Sequence, residues 1–393
     1  MNILHFLSHF SLLSETFIYD EMLAMEKTWP GANLIATFHR QLPVERPFPR
    51  VQVLNQSPSF LQNLHRRCLR RVKGLRIPRE HFPLCAFLRE QLPKTDALQA
   101  HFGWNGVTLW QALKFLGEQN RRPLIVRCHG SDISSNPRLY PDCKTVLLEM
   151  ARAPKVLFTA NSEFLARKLI ELGVPAEKVH PVALTFNDVF SEHRKKRFFR
   201  PGDRLRLINT ARFIEWKGQR YLIEAFARFV REVHPNAQLT LIGEGETLAA
   251  VKQLASDCGV RDKVMFAGGV AHHEVPRHLS ESDIYIQPSI QDPKTFQEES
   301  FGVAILEALA VGLPVIITRT GGMPEIVGGD GPFARIVPDR DADALFEALK
   351  EMFTKGTCFQ DITDYSRNRL AQFTPERQLK DLTAVYHRMG ILK

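Results

Sequence analysis

The chain has 393 residues, 44% hydrophobic and 24% charged, which is the make-up of a globular protein too long for one core, so two domains are expected. No run of eighteen apolar residues occurs, and the opening MNILHFLSHFSLLSETF has neither a basic start nor a small-residue cleavage site, which argues against a membrane span and a secretory leader and for a cytoplasmic protein. The six cysteines are scattered without a CxxC pair, which excludes a disulfide framework, and the net charge of +9 sits wholly in the first half: residues 1–200 hold 29 Lys and Arg against 17 Asp and Glu, the remainder 23 against 26.

Short apolar runs alternate with helical periods along the whole chain, the pattern of parallel sheets covered by helices. In the first half the strand candidates are NILHFLS, NLIATF, VQVLN, ALQAHFG, PLIVRCHG, KVLFTA and KVHPVAL. After the first of them Ser14 is a fair N-cap, and Glu15 and Thr16 open a helix whose free N–H groups form an anion site. Residues 60–76, FLQNLHRRCLRRVKGLR, place Leu61, Leu64, Cys68, Val72 and Leu75 on one helical stripe with Arg66, Arg67, Arg70, Arg71 and Lys73 mostly elsewhere. This stretch is either a helix for an anionic membrane surface or an ordinary solvated face over a buried stripe. His101 ends a strand. His129 and Asp132 follow LIVR directly, where a histidine can donate to a sugar hydroxyl or a departing oxygen, although a lone histidine among fourteen is more often structural. Asn161 and Ser162 follow the next strand, and Ser162 suits the N-cap of EFLARKLIELG.

The charged run SEHRKKRFFRPGDR, residues 191–204, interrupts both periodicities and is expected to be the domain joint. This gives an N-terminal Rossmann-like domain over 1–195, a second over 196–374, and a C-terminal helix over 375–393 packing back on the first. Doubly wound sheets bind ligands beyond the carboxyl ends of their strands, so two such domains facing across a cleft, with functional residues just after strands, are the expected fold.

The second half restarts with LRLINTAR, AQLTLIGEG, KVMFAGG, IYIQPS, LPVIIT and ARIVP. Arg212 ends the first strand region and Lys217 opens the next helix, so two cations and a helix N-terminus can meet one anion; a diphosphate leaving group needs that neutralisation. LIGEGETL offers GxGxxL, with Leu248 in place of a third glycine and Glu244 and Glu246 repelling phosphate, and is a tight turn rather than a dinucleotide fingerprint. In EESFGVAILEALAVGLPV, Glu299 and Glu307 are eight residues apart, about 12 Å along a helix, whereas glycosidase carboxyl pairs face each other across about 5–10 Å. A hydrolytic dyad is rejected. What stays open is an anion site made by the free Phe301 and Gly302 amides at the mouth of the helix, with Glu299 beside it and Glu307 further along, or a capped core helix with solvated carboxylates. The DRDAD run at Asp339, Asp341 and Asp343 precedes a helix and is expected to cap it rather than hold a metal.

Together, and in their order along the chain, TANSEFLARKLIELGVPAEKVHPV, ARFIEWKGQRYLIEAF, EESFGVAILEALAVGLPVI and TGGMPEIV resemble the family-four (group 1) retaining glycosyltransferases of GT-B fold. SETFI, HFG and HGSDI are similar to the subgroup that builds bacterial exopolysaccharide and colanic acid. The resemblance implies a nucleotide-diphosphate sugar donor held by Arg212 and Lys217 at its diphosphate, Glu307 at its ribose, and Glu299 with the Phe301 and Gly302 amides at its sugar. His129 corresponds to the family's donor-sugar histidine, and Ser14, Glu15 and Thr16 stand where relatives carry a Gly-Gly loop that is missing here. ALTFND also departs from the family's G-[VI]-D at the hinge. The acceptor is expected to be a glycan or lipid-linked glycan on the first domain, reached peripherally at the inner face of the plasma membrane through residues 60–76. No metal or other cofactor is expected, since the nucleotide sugar is itself a substrate, and no nucleic-acid partner. The enzymatic alternative is a sugar-nucleotide 2-epimerase of the same architecture, which turns over donor without acceptor. A basic lipid- or nucleic-acid-binding protein would explain the charge of the first half but has no use for Arg212, Lys217 and the glutamates.

Overall fold

The computed structural model describes residues 1–12, 15–54, 81–186, 189–194, 204–356 and 361–392. Its contacts divide the chain into two units, Met1–Ala183 with Pro375–Lys393, and Leu184–Thr374.

Among the described residues the first unit is built on seven strands: β1 (Ile3–Phe10), β2 (Asn33–Arg40), β3 (Val51–Val53), β4 (Ala97–His101), β5 (Leu124–Cys128), β6 (Val156–Ala160) and β7 (Val179–Pro181). All pair in parallel, in the order β3-β2-β1-β4-β5-β6-β7. Every residue of β4, β5 and β6 is buried, as a parallel sheet covered on both faces demands, which is why these strands are continuous apolar runs in the sequence. Alternate residues serve opposite layers. Leu98, Val126 and Phe158 pack with Trp110, Leu113 and Met150, whereas Ala97, Ile125 and Leu157 pack with Met22 and with Leu382 and Tyr386 of the helix Pro375–Arg388. That second face also carries buried polar side chains at the same parity: His5, Gln99, His101, Arg127 and Thr159. Burial without a partner would be costly, and partners are present: Arg127 forms an ion pair with Glu21 and donates to Thr159 Oγ1 at 3.1 Å.

Among the described residues the second unit has six parallel strands, β8 (Arg206–Thr210), β9 (Gln238–Ile242), β10 (Val264–Gly268), β11 (Ile284–Gln287), β12 (Val315–Thr318) and β13 (Ala334–Val337), in the order β10-β9-β8-β11-β12-β13. Leu207, Leu239, Leu241, Ile286 and Ile316 meet Phe226, Phe229, Leu345 and Phe346 in its core. The division at Ala183/Leu184 falls ahead of the charged run from which the joint at 191–204 is expected. The reason is Phe190, fully buried on the short helix Val189–Glu192, whose ring meets His272 at 5.4 Å within the second unit. Residues 195–203 of that run lie outside the described residues. In both sheets the strand order reverses at the first strand, between β1 and β4 and between β8 and β11, and it is beyond such reversals that doubly wound sheets bind ligands.

Candidate functional site

In the second unit the loop after β8 carries Arg212 and Lys217. Arg212 is exposed, its carbonyl accepting from Gln219 Nε2 at 3.0 Å, and among the described residues its guanidinium has no ion-pair partner. Lys217 closes a single 3₁₀ turn, Glu215–Lys217, and Gly218 (φ +68°) starts the helix Gln219–Glu232. A Cβ at Gly218 would lie 2.0 Å from the Pro288 carbonyl oxygen, so only glycine lets this turn lie against the chain leaving β11; Ile290 N donates to Trp216 O at 2.8 Å across the same contact.

That approach brings Lys217 to Glu299. Lys217 Nζ donates to Glu299 Oε2 in an ion pair whose side chains are 14% and 13% exposed, and the ammonium also lies 4.2 Å from the Trp216 ring centroid. The Glu299 carbonyl accepts from Gly322 N at 3.0 Å, and a Cβ on Gly321 (φ +59°) would lie 1.6 Å from that carbonyl oxygen, so TGGMPEIV is pressed against Glu299. The helix Val303–Val311 begins just after Glu299; the Phe301 and Gly302 amides at its mouth have no acceptor among the described residues, while the buried Phe301 ring packs on Phe373 at 5.6 Å. Glu307 lies just over one turn into this helix, largely buried, with His272 Nε2 at 3.4 Å from its Oε1. Burial pushes the Tyr285 phenol on β11 far up, and the charges of Glu307 and Glu299 add to it. A cavity of about 240 Å³ opens beside the same turn, lined by Ile214, Gly218, Gln219, Thr247 and Val251 but by none of the paired side chains.

In the first unit Asp132 fastens the loop after β5. It is fully buried, its Oδ1 accepting from the amides of His129 (3.0 Å) and Gly130 (2.7 Å) and its Oδ2 from Gly103 N (2.7 Å), which ties this loop to the one after β4. His129 is 8% exposed, its ring 5.0 Å from Phe17 and 4.8 Å from Phe102, a non-glycine residue at φ +70°. His101 Nδ1 lies 3.3 Å from His129 Nε2. Burial holds both imidazoles well below the usual histidine range, with the Arg127 charge pushing the same way, so both are neutral at pH 7. Glu15 stands at the start of the helix Thr16–Thr28 without a side-chain cap; Ser14, expected to cap it, lies outside the described residues.

Of the other stretches singled out from sequence, Ser162 accepts from Leu165 N at 3.1 Å and Asp341 from Ala344 N at 2.8 Å, so each caps its helix. LIGEGETL is a turn packed on the β8 loop, with Phe213 N donating to Glu244 O at 2.8 Å and Thr247 N to Phe213 O at 3.0 Å. Among the described residues no helix is long and apolar enough to cross a membrane, and no group of three or more His, Cys, Asp or Glu could hold a metal ion. Residues 60–76 lie outside the described residues. The geometry thus joins Lys217 with Glu299 and the helix mouth, and His129 with His101 and Asp132. His272 is the site residue that sequence reasoning missed; its position four residues after β10 was the available signal.

Residues 190–369 match the model of the family described as glycosyl transferases group 1. The GDP-mannose-dependent alpha-(1-6)-phosphatidylinositol monomannoside mannosyltransferase of Mycolicibacterium smegmatis is 28% identical over 236 residues, 59% of this chain and 61% of that protein. The putative colanic acid biosynthesis glycosyltransferase WcaL of Escherichia coli is 28% identical over 375 residues, 89% and 90% of the two chains. The match thus spans less than two thirds of the mycobacterial relative and nearly all of the enterobacterial one. The structure of Anabaena Alr3699/HepE, solved in complex with UDP, superposes with a TM-score of 0.77 at 19% identity over 100% of both chains, a likeness of fold alone.

Proposed function

We propose, from the match of residues 190–369 to the group 1 glycosyltransferases, that the chain transfers a sugar from a nucleotide-diphosphate donor to a glycan or lipid-linked acceptor in bacterial surface polysaccharide synthesis, with retention of anomeric configuration and without a metal. The observation that carries the reading is the pairing of Lys217 with Glu299 at the mouth of the helix Val303–Val311, next to the Phe301 and Gly302 amides and one loop from Arg212. Such a cluster fits a diphosphate bound to a sugar: Lys217 and Arg212 take the phosphate charge, the helix mouth adds its dipole, and Glu299 accepts from sugar hydroxyls once the phosphate has taken its place on Lys217. Glu307, steadied by His272, is the acceptor for the ribose hydroxyls. His129 donates to a sugar hydroxyl.

In the proposed reaction the anomeric carbon–oxygen bond to the diphosphate breaks, its electron pair leaving with the nucleoside diphosphate. The acceptor oxygen forms the new bond on the same face, and its proton passes to the departing phosphate oxygen. The protein's share is to neutralise charge that grows on that oxygen, a contribution of about 3–4 kcal/mol per well-placed donor in comparable sites.

We further propose that the basic stretch 60–76 holds the enzyme at an anionic membrane that carries the acceptor. Incubation with a panel of nucleotide sugars and a lipid-linked glycan extract, with EDTA present, tests the main reading. Transfer with the new linkage in the donor's anomeric configuration is expected. Failure of every donor to raise the melting temperature or to transfer would overturn it, and turnover of donor without acceptor would point to epimerisation.

A further inference from the structure

A chain of hydrogen bonds runs from the C-terminal helix to His129 inside the first unit. Tyr386, on the helix Pro375–Arg388 and fully buried, donates its hydroxyl proton to Gln99 Oε1 at 2.8 Å, the one acceptor that O–H has among the described residues. Gln99 Nε2 lies 3.4 Å from His101 Nε2, and His101 Nδ1 lies 3.3 Å from His129 Nε2, with the two ring planes within 2° of each other. Gln99 and His101 sit two apart on β4 and share the face that the C-terminal helix covers, and both are fully buried.

A phenol that donates to an amide oxygen turns the amide's N–H₂ outward as donor. His101 is neutral and must therefore accept at Nε2, which places its proton on Nδ1; that proton goes to His129 Nε2, which leaves His129 with its proton on Nδ1. The polarity of the whole chain is thus set by its far end, at a residue 257 positions from His129 in sequence. We propose that Tyr386, acting through Gln99 and His101, is a positioning residue that fixes His129 as the neutral Nδ1–H tautomer. The tautomer assignment is independent of the function proposed above, and its consequence for turnover rests on that function.

The test uses full-length protein labelled with ¹⁵N at histidine, with a His129→Gln spectrum to assign the ring nitrogens. The unsubstituted protein should carry the His129 proton on Nδ1. Tyr386→Phe, which keeps the ring packed 5.6 Å from Trp29, should give a mixture of both tautomers, and Gln99→Glu, whose carboxylate accepts from both sides, should move the proton to Nε2 in both histidines. A proton on Nε2 in the unsubstituted protein, or one unchanged tautomer in Tyr386→Phe, would overturn the proposal. With a working donor, Tyr386→Phe should lower kcat about fivefold, the worth of one hydrogen bond, with KM for the donor unchanged. Equal kcat alongside a mixed tautomer would refute the catalytic half, whereas the absence of any turnover in the unsubstituted protein would refute the proposed function and leave the tautomer result to decide the relay.

Discussion

Lys217 and Glu299, 82 residues apart in sequence, share one ion pair at the mouth of the helix Val303–Val311. If Lys217 takes the donor's phosphate, that phosphate must displace the carboxylate, so the pair competes with the ligand while keeping the site assembled. Glu299→Gln should therefore tighten binding of a free nucleoside diphosphate by about tenfold, the effect of removing about 1.4 kcal/mol of competition, while transfer falls because the sugar loses its acceptor. Lys217→Ala should cut kcat by about 10²–10³ with the fold retained. Isothermal titration calorimetry and steady-state kinetics read both; unchanged affinity in the first or full activity in the second would remove these residues from the site.

Gly321 touches no ligand in this scheme, yet it sets where Glu299 lies. At φ +59° and with a Cβ only 1.6 Å from the Glu299 carbonyl oxygen, alanine cannot be accommodated without moving the loop. Gly321→Ala should destabilise the protein by about 1–3 kcal/mol and weaken donor binding more than a loss of stability alone explains. A melting curve with and without nucleoside diphosphate checks this, and a variant with the parent's affinity would show that the loop position does not matter.

The buried histidines give the first unit a pH dependence of definite sign. Burial lowers His5 to about 4 from 6.5, with the Arg127 charge adding to it against the hydrogen bond to Asn33. Between those values the unfolded chain binds a proton that the folded chain refuses, so stability is full above pH 6.5 and falls as the pH drops towards 4, by roughly 3 kcal/mol from this residue. Urea unfolding from pH 7.5 to 4 should show the loss, and the difference between the parent and His5→Gln isolates it from carboxyls such as Glu21 and Asp132, which burial shifts upward. A constant difference across the range would contradict the assignment.

For the stretch 60–76 the prediction concerns salt. Co-sedimentation with phosphatidylglycerol vesicles should be strong at low ionic strength and fall steeply as salt rises, and reversing Arg66, Arg67, Arg70 and Arg71 to Glu should abolish it without changing transfer to a soluble acceptor. Binding to uncharged vesicles as strong as to anionic ones would rule out the electrostatic attachment.

The sequence by itself determined both sheets. Each of the thirteen strands among the described residues falls on a run read from the chain as a strand, and the runs are most continuously apolar in β4, β5, β6, β11 and β12, where a parallel strand buried on both faces admits little else. It also put Arg212, Lys217, Glu299 and His129 after strands or at a helix start, and Glu307 further along the helix that Glu299 precedes, since those are local properties of turns, caps and helices. Only the tertiary structure decided which of them meet. Lys217 reaches Glu299 because Gly218 packs against Pro288, a contact across 70 residues that no periodicity encodes. His272 joins Glu307, and Tyr386 reaches His129 through Gln99 and His101, for the same reason: polar partners inside a core are chosen by the geometry that brings distant strands and helices together, while the local pattern records only that each residue is buried.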